Sequence, residues 1–262
     1  MSLAQNNIWH NEQNLQIQRI EDRFFVFLSI HRENVASMTF RGEVIGKRFF
    51  IEAFDKFQKV YQISIEVNEY LIRKNLVKKL SEIDLIELSY KVIFFGCTGS
   101  NSLRVLSSSL ISFDKYVIHP DKEMNFVSIF IHELTIKGVN EQGLQSNLGN
   151  YFRHLFHTVT YINDLQVLQD TDKQFYIKRL RGQFSNHEIA MLFVNCFSIG
   201  KRWTAYSHDN SKDTEDLITK YELIRNLPSD FFNDFDFRCY FPDIHYEGHL
   251  YIFRDDPAYR KC

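Results

Sequence analysis

The sequence predicts a mainly α fold: a multi-helix single domain closed by a short irregular or β C-terminal tail. Three observations carry that expectation. Chain breakers are scarce, with 10 Gly and 4 Pro in 262 residues and the first Pro at position 120, so long helices can run without interruption. Apolar residues recur at helical spacing through most of the chain. The ring content is high, 25 Phe and 13 Tyr against 2 Trp, and suits helices that bury aromatics between them. A hydrophobic share of 44% at this length supplies a sizeable core.

Residues 1–14 are polar and lack the apolar stretch of a secretory signal, which predicts a flexible N-terminus. The helical domain is expected over 15–228. Ile17, Ile20, Phe24, Phe27, Leu28 and Val35 set a first helix, and Gly42 and Gly46 interrupt it. Phe49, Ala53, Phe57, Val60 and Tyr61 begin a second. A third segment is expected from Tyr70 to Leu80, and a fourth from Ile83 to Phe95, stopped by Gly96.

The glycine-rich stretch from Gly96 to Ser102 could cradle a phosphate through backbone N–H groups. No Walker or dinucleotide pattern follows it, and a helix stop with a following N-cap accounts for it. Leu103 to Tyr116 reads as a helix closed by His119-Pro120. Glu123 to Gln145, with Gly138 and Gly143, reads as a loop or short helix.

Helical spacing returns at positions 152, 155, 156, 159 and 162, with Gly149 leading that helix. A polar link from Asp164 to Lys173 precedes a helix from Phe175 to Leu180. Ser185 and Glu188 then fit a capping box that opens a helix carrying Ile189, Leu192, Phe193, Cys196 and Phe197. After the charged connection Ser207 to Glu215 and one short helix before Pro228, the aromatic tail 229–262 is expected to pack on the domain. Alternation from His249 to Phe253 hints at a strand there.

The net charge of −2, from 31 basic and 33 acidic side chains, excludes a strongly cationic chain that coats nucleic acid by counterion release alone. A local basic run remains at Lys178-Arg179-Leu180-Arg181. Cysteines at 97, 196, 239 and 262 form no CxxC pair, so free thiols in a reducing cytoplasm are expected. No metal site and no cofactor is expected. The longest apolar runs, such as Val92 to Phe95, are too short to cross a membrane. A cytoplasmic protein without membrane association follows as the expectation.

Chemistry rather than packing is conceivable at two places. Arg153 and His157 are four apart on one predicted helix and share a face, with His154 beside them. Arg181 ends one predicted helix, and His187 stands in the first turn of the next. Arginine can hold a phosphate and its developing charge while histidine exchanges a proton near neutral pH. Arg153, His157, Arg181 and His187 are therefore the candidate catalytic residues. His154, Gln183, Asn186 and Asn195 are the candidate ligand-binding ones. The bland alternative is that these side chains bind neighbouring carbonyls and carboxylates and fix helix packing.

The spacing Arg181-x₅-His187 is similar to the Arg-x₄₋₆-His pattern of HEPN ribonucleases. That resemblance implies metal-independent RNA cleavage at a homodimer cleft, with the ribose 2′-OH as nucleophile.

Longer blocks resemble another family. Leu148-Gly149-Asn150-Tyr151-Phe152-Arg153-His154-Leu155-Phe156 is similar to the LGHYFRHLY stretch of the phage abortive infection proteins (AbiC-like). Tyr176 to Ser185 resembles that family's YIKxLRAQLS stretch, and Glu188 to Asn195 its E-x-x-L-L-F-Y-N helix. Phe24 to Leu28 with His31 resembles its FFxLLxxH segment, so the likeness spans roughly 15–230. Asn150 departs from the family's His, and Phe184 from its Leu.

The resemblance implies a role in antiphage defence by abortive infection. The Arg/His residues would then make a toxic effector acting on RNA. Two other readings stand beside it: a non-enzymatic sensor or adaptor that binds a phage or host protein, and a domain that binds a nucleotide signal.

Overall fold

A computed structural model describes residues 3–118, 126–139, 142–207, 213–249 and 251–255, with side chains from Asn11 onward. The expected turn at His119-Pro120 and the tail residues Leu250, Pro257 and Cys262 lie outside the described residues. Helix α1 (Leu3–Ala36) takes in most of the leading 14 residues. It buries Ile20, Phe24, Leu28, His31 and Val35, each three or four residues after the last, which lays one stripe against the sixth helix. From Asn11 to Arg19 it carries no buried residue.

Where Gly42 and Gly46 suggest a plain interruption, the chain forms a hairpin. Strands β1 (Thr39–Phe40) and β2 (Glu43–Val44) pair antiparallel with Thr39 opposite Val44 and Phe40 opposite Glu43. The two loop residues both have positive φ, 52° at Arg41 and 87° at Gly42. That is the type I′ arrangement, whose twist matches that of the strands. Glycine suits its position; arginine is an unusual residue at the other.

Helix α2 (Arg48–Arg73) is the centre of the molecule. Phe49, Phe50, Ala53, Phe54, Phe57, Val60, Tyr61, Ser64, Val67, Asn68 and Leu71 are buried along it. It packs against α3 (Glu82–Phe95), α5 (Phe126–Ile136) and α8 (Asn186–Cys196). The separate helix expected over 70–80 is not formed. Asn75 turns the chain with a φ of 56°, and Val77 bridges Val117 while Lys78 N–H donates to the Tyr116 carbonyl at 2.8 Å. Burial of Val77 and Leu80 is thus achieved in extended backbone.

Ser81 starts α3 with a capping box completed by Asp84. Gly96 ends it at a φ of 81°. α4 (Ser100–Leu110) follows and tightens into a 3₁₀ helix, Ile111–Tyr116. α6 (Gln145–Asp164) begins four residues before Gly149, correcting the expected glycine-led start. Its true anchor is upstream. Leu144 N–H donates to Ile93 O at 3.0 Å, and a Cβ at Gly143 would sit 2.4 Å from Phe95 O. Only glycine allows the chain to cross the end of α3 that closely. Gly149, by contrast, faces the Phe94 ring with room for a methyl group.

α7 (Asp170–Arg181) leads through a short turn into α8, and Ser185 caps α8 through the expected box with Glu188. α9 (Leu217–Lys220) is a single turn. The tail then wraps its rings around α8. Phe193 meets Phe232, Phe235, Phe237, Tyr240 and Phe241 with centroids 5.2–6.0 Å apart. Phe54 and Phe57 of α2 close the cluster from below. This is where much of the phenylalanine goes, and it continues one hydrophobic core through all the main helices.

No strand appears among the described residues of 249–253. Phe253–Asp255 forms a 3₁₀ turn instead, because Phe253 is buried under the Arg238 guanidinium (4.4 Å to the ring) and Arg254 N–H donates to Pro242 O.

Candidate functional site

The eight candidate residues fall into separate places. Arg153 and His157 lie on the exposed face of α6. The Arg153 guanidinium donates to Asn150 Oδ1 at 3.2 Å. Its neighbour is Arg202, which lies 3.9 Å over the Phe156 ring; burial and the nearby Arg153 charge both lower the Arg202 pKa. The face is therefore cationic and open.

Arg181 is turned inward. It donates to the carbonyls of Tyr221 at 3.2 Å and Glu222 at 3.0 Å, and its Nη1 lies 3.9 Å from the Glu222 carboxyl. Glu222 has a φ of 47°, so the arginine satisfies acceptors exposed by a left-handed turn. The cleft beside it, about 420 Å³, also contains Lys178 and Arg225, but Glu222 and Glu247 offset their charge. His187 is half-buried between the rings of Phe54 (5.7 Å) and Phe231 (5.1 Å). Burial lowers its pKa, with Asp55 opposing.

Of the candidate ligand residues, His154 Nε2 hydrogen-bonds to Phe27 O at 3.1 Å. Gln183 accepts from Arg32 at 3.2 Å. Asn195 Nδ2 donates to Tyr90 Oη at 2.8 Å inside the core. Asn186 is exposed. Arg153 and His157 thus share a surface, while Arg181 and His187 each serve a different neighbouring segment.

What the fold does bring together is a buried polar group at the junction of α1, α6 and α8. Glu188, only 1% exposed, accepts from Ser185 N–H at 2.7 Å and from Tyr151 Oη at 3.1 Å. Its other neighbour is His31 of α1, 2% exposed, with Nε2 at 3.8 Å. That separation is too long for a hydrogen bond. The imidazole is packed between Tyr151 and Phe184, each 5.5 Å away. Burial, then the charges of His154, Lys47 and Arg32, push the His31 pKa down to about 4. The ring is therefore neutral at pH 7, and its Nδ1 has no hydrogen-bond partner.

Burial and the Glu188 carboxyl hold the Tyr151 phenol well above its usual range, so it remains a donor. Chemically the group is a proton-holding core, closed to solvent. It joins the start of α8 to two other helices.

Sequence spacing misses this group because its members are far apart in the chain. Glu188 is legible only as a cap, and Tyr151 only as one more ring. His31 stands out through the FFxLLxxH likeness alone.

Among the described residues no three His, Cys, Asp or Glu gather in a way that could hold a metal ion. No described helix is long and apolar enough to cross a membrane. Cys97 and Cys196 are buried thiols outside any disulfide.

No curated protein and no solved structure matches the chain. The stretch from Gly143, where the chain crosses α3, through α6, α7 and α8 to Phe232 does have a counterpart. It contains both central blocks noted in the sequence, while Phe24 to His31 lies outside it. Residues 143–232 match the family described as "Putative phage abortive infection protein".

Proposed function

We propose that this protein takes part in antiphage defence by abortive infection inside the infected cell, and that it does so by binding rather than by cleaving RNA. The observation that carries the defence reading is the family match over residues 143–232. The binding reading is favoured by the fate of Arg181 and His187. An arginine held by two backbone carbonyls and a histidine set between phenylalanines have structural work already. Apolar side chains exposed on α1 offer a partner surface, with Phe25 at 54% and Val26 at 55% exposure beside Ile30.

A second reading keeps RNA, and one observation favours it. Arg153 and Arg202 form an open cationic face, with His157 exposed one turn along α6 from Arg153, so a phosphate clamp and a proton carrier would sit there without the α7–α8 turn.

The two readings separate in cells challenged with phage. Wild type, Arg153→Ala and His157→Ala are induced, survival is scored, and total RNA is sequenced for new ends. Binding predicts that both variants protect and that no new ends depend on these residues. New RNA ends that vanish with either substitution, together with protection, would replace it with the nuclease reading.

A further inference from the structure

Helix α6 carries no carboxylate from Gln145 to Asn163, while Arg153, His154 and His157 fall within that span. The side chains it leaves exposed are Gln145, Ser146, Asn150, Arg153 and His157, all polar. Asn150, Arg153 and His157 are followed by the half-buried Tyr161, so one outward row repeats at about 5.4 Å per turn. Asp164 ends the row, and its carboxyl is taken by the Tyr206 hydroxyl at 2.6 Å.

Two exposed arginines from other segments border this row, each lying over one of the α6 rings. The Arg202 guanidinium is 3.9 Å from the centroid of Phe156, and the Arg23 guanidinium of α1 is 5.6 Å from that of Tyr161. Burial first, then the Arg153 charge, lowers the Arg202 pKa, which marks two like charges held close together. Arg153 itself bonds only the neutral Asn150. Among the described residues no ion pair engages Arg23, Arg153 or Arg202. Glu21 of α1 bonds Tyr176 of α7 instead. Edge-to-face contacts of Phe27 with Tyr161 at 5.2 Å and with His154 at 6.0 Å fix the rings at the α1–α6 seam.

An acid-free row of cations suits phosphates, and a guanidinium laid over a ring is the kind of plane on which an unpaired base stacks. A duplex keeps its base faces inside the stack. The exposed row has no apolar side chain to enter a bilayer, and an acidic peptide has no use for the flat planes. We propose that this strip binds single-stranded nucleic acid, with phosphates on Arg153 and Arg202 and a base stacked at the Arg23–Tyr161 pair. The α6 face is shared with the RNA reading above, but holding a strand there does not depend on cutting it.

Fluorescence anisotropy of the full chain with a labelled 12-nucleotide single-stranded RNA of mixed sequence tests this over a series of salt concentrations. Arg153→Gln and Arg202→Gln should each reduce the salt slope of binding by about 0.7. Tyr161→Leu keeps apolar packing on Phe27 and should weaken binding about fivefold or more at an unchanged slope. Lys137→Gln removes the same charge from a residue that pairs with Glu66 elsewhere, and should bind like wild type. Circular dichroism should be unchanged in all four. The unlabelled strand should compete, while its duplex, phosphatidylserine vesicles and polyglutamate should compete poorly. Binding at this strip is overturned if no strand binds at about 100 µM protein in low salt, if Lys137→Gln lowers the slope as much as Arg153→Gln, or if duplex, vesicles or polyglutamate compete as well as the single strand. Strand length on a denaturing gel of the same samples tests the nuclease reading separately from binding.

Discussion

The exposed face of α6 and the turn between α7 and α8 present the same residue types, an arginine with a histidine nearby, and the fold treats them in opposite ways. On α6, Arg153 and His157 face solvent beside Arg202. At the turn, Arg181 is consumed by the carbonyls of Tyr221 and Glu222, and His187 is wedged between Phe54 and Phe231. Local spacing tells which side chains share a helix face. What packs opposite that face decides whether they are reagents or struts, and here the opposing segments come from residues 54, 221, 222 and 231.

The comparison is sharpest where buried polar groups are removed. Glu188→Ala leaves Tyr151 Oη and Ser185 N–H without their acceptor in the core, and should lower unfolding free energy by about 3 to 5 kcal/mol in urea melts. Glu188→Gln, which keeps one carbonyl acceptor, should lose less.

A pH effect comes next. His31 is neutral in the folded protein down to about pH 4, whereas its unfolded pKa is 6.5. As pH falls below 6.5 the unfolded chain gains a proton that the folded one resists. Stability is then lost progressively between pH 6.5 and 4, by about 3 kcal/mol in all. His31→Gln should flatten this segment of the stability–pH curve; an unchanged slope would show that other groups set it.

Arg181→Ala should cost about 1 to 3 kcal/mol by leaving two carbonyls unpaired. Arg153→Ala and His157→Ala should each stay within about 0.5 kcal/mol of wild type. Equal losses at Arg181 and Arg153 would erase the distinction between strut and open face.

Much of the architecture is legible in the sequence where periodicity is strong. The spacing Phe49, Ala53, Phe57, Val60 gives α2, and Ser185 with Glu188 gives the start of α8 through a local hydrogen-bond pattern. The failures share one cause, long-range pairing. Val77 and Leu80 look helical by spacing but are buried in extended backbone against the segment at Val117. The alternation near His249 looks like a strand, yet Phe253 is claimed by Arg238. Gly143, which the sequence places in a loop or short helix, permits the approach to Phe95 that sets where α6 begins. The buried group of His31, Tyr151 and Glu188 is invisible for the same reason: its partners stand 37 residues apart at the nearest long-range bond.

Helix α1 is continuous in backbone but divided in its surroundings, with nothing buried from Asn11 to Arg19 and a full stripe buried from Ile20 onward. Its amides should therefore exchange with deuterium in two regimes. The stretch from Asn11 to Arg19, with no buried side chain, opens with a small local free energy, while the stretch from Ile20 onward opens only with the core. A protease that samples such openings should trim the helix back toward Ile20 and stop there, leaving the body of the protein folded.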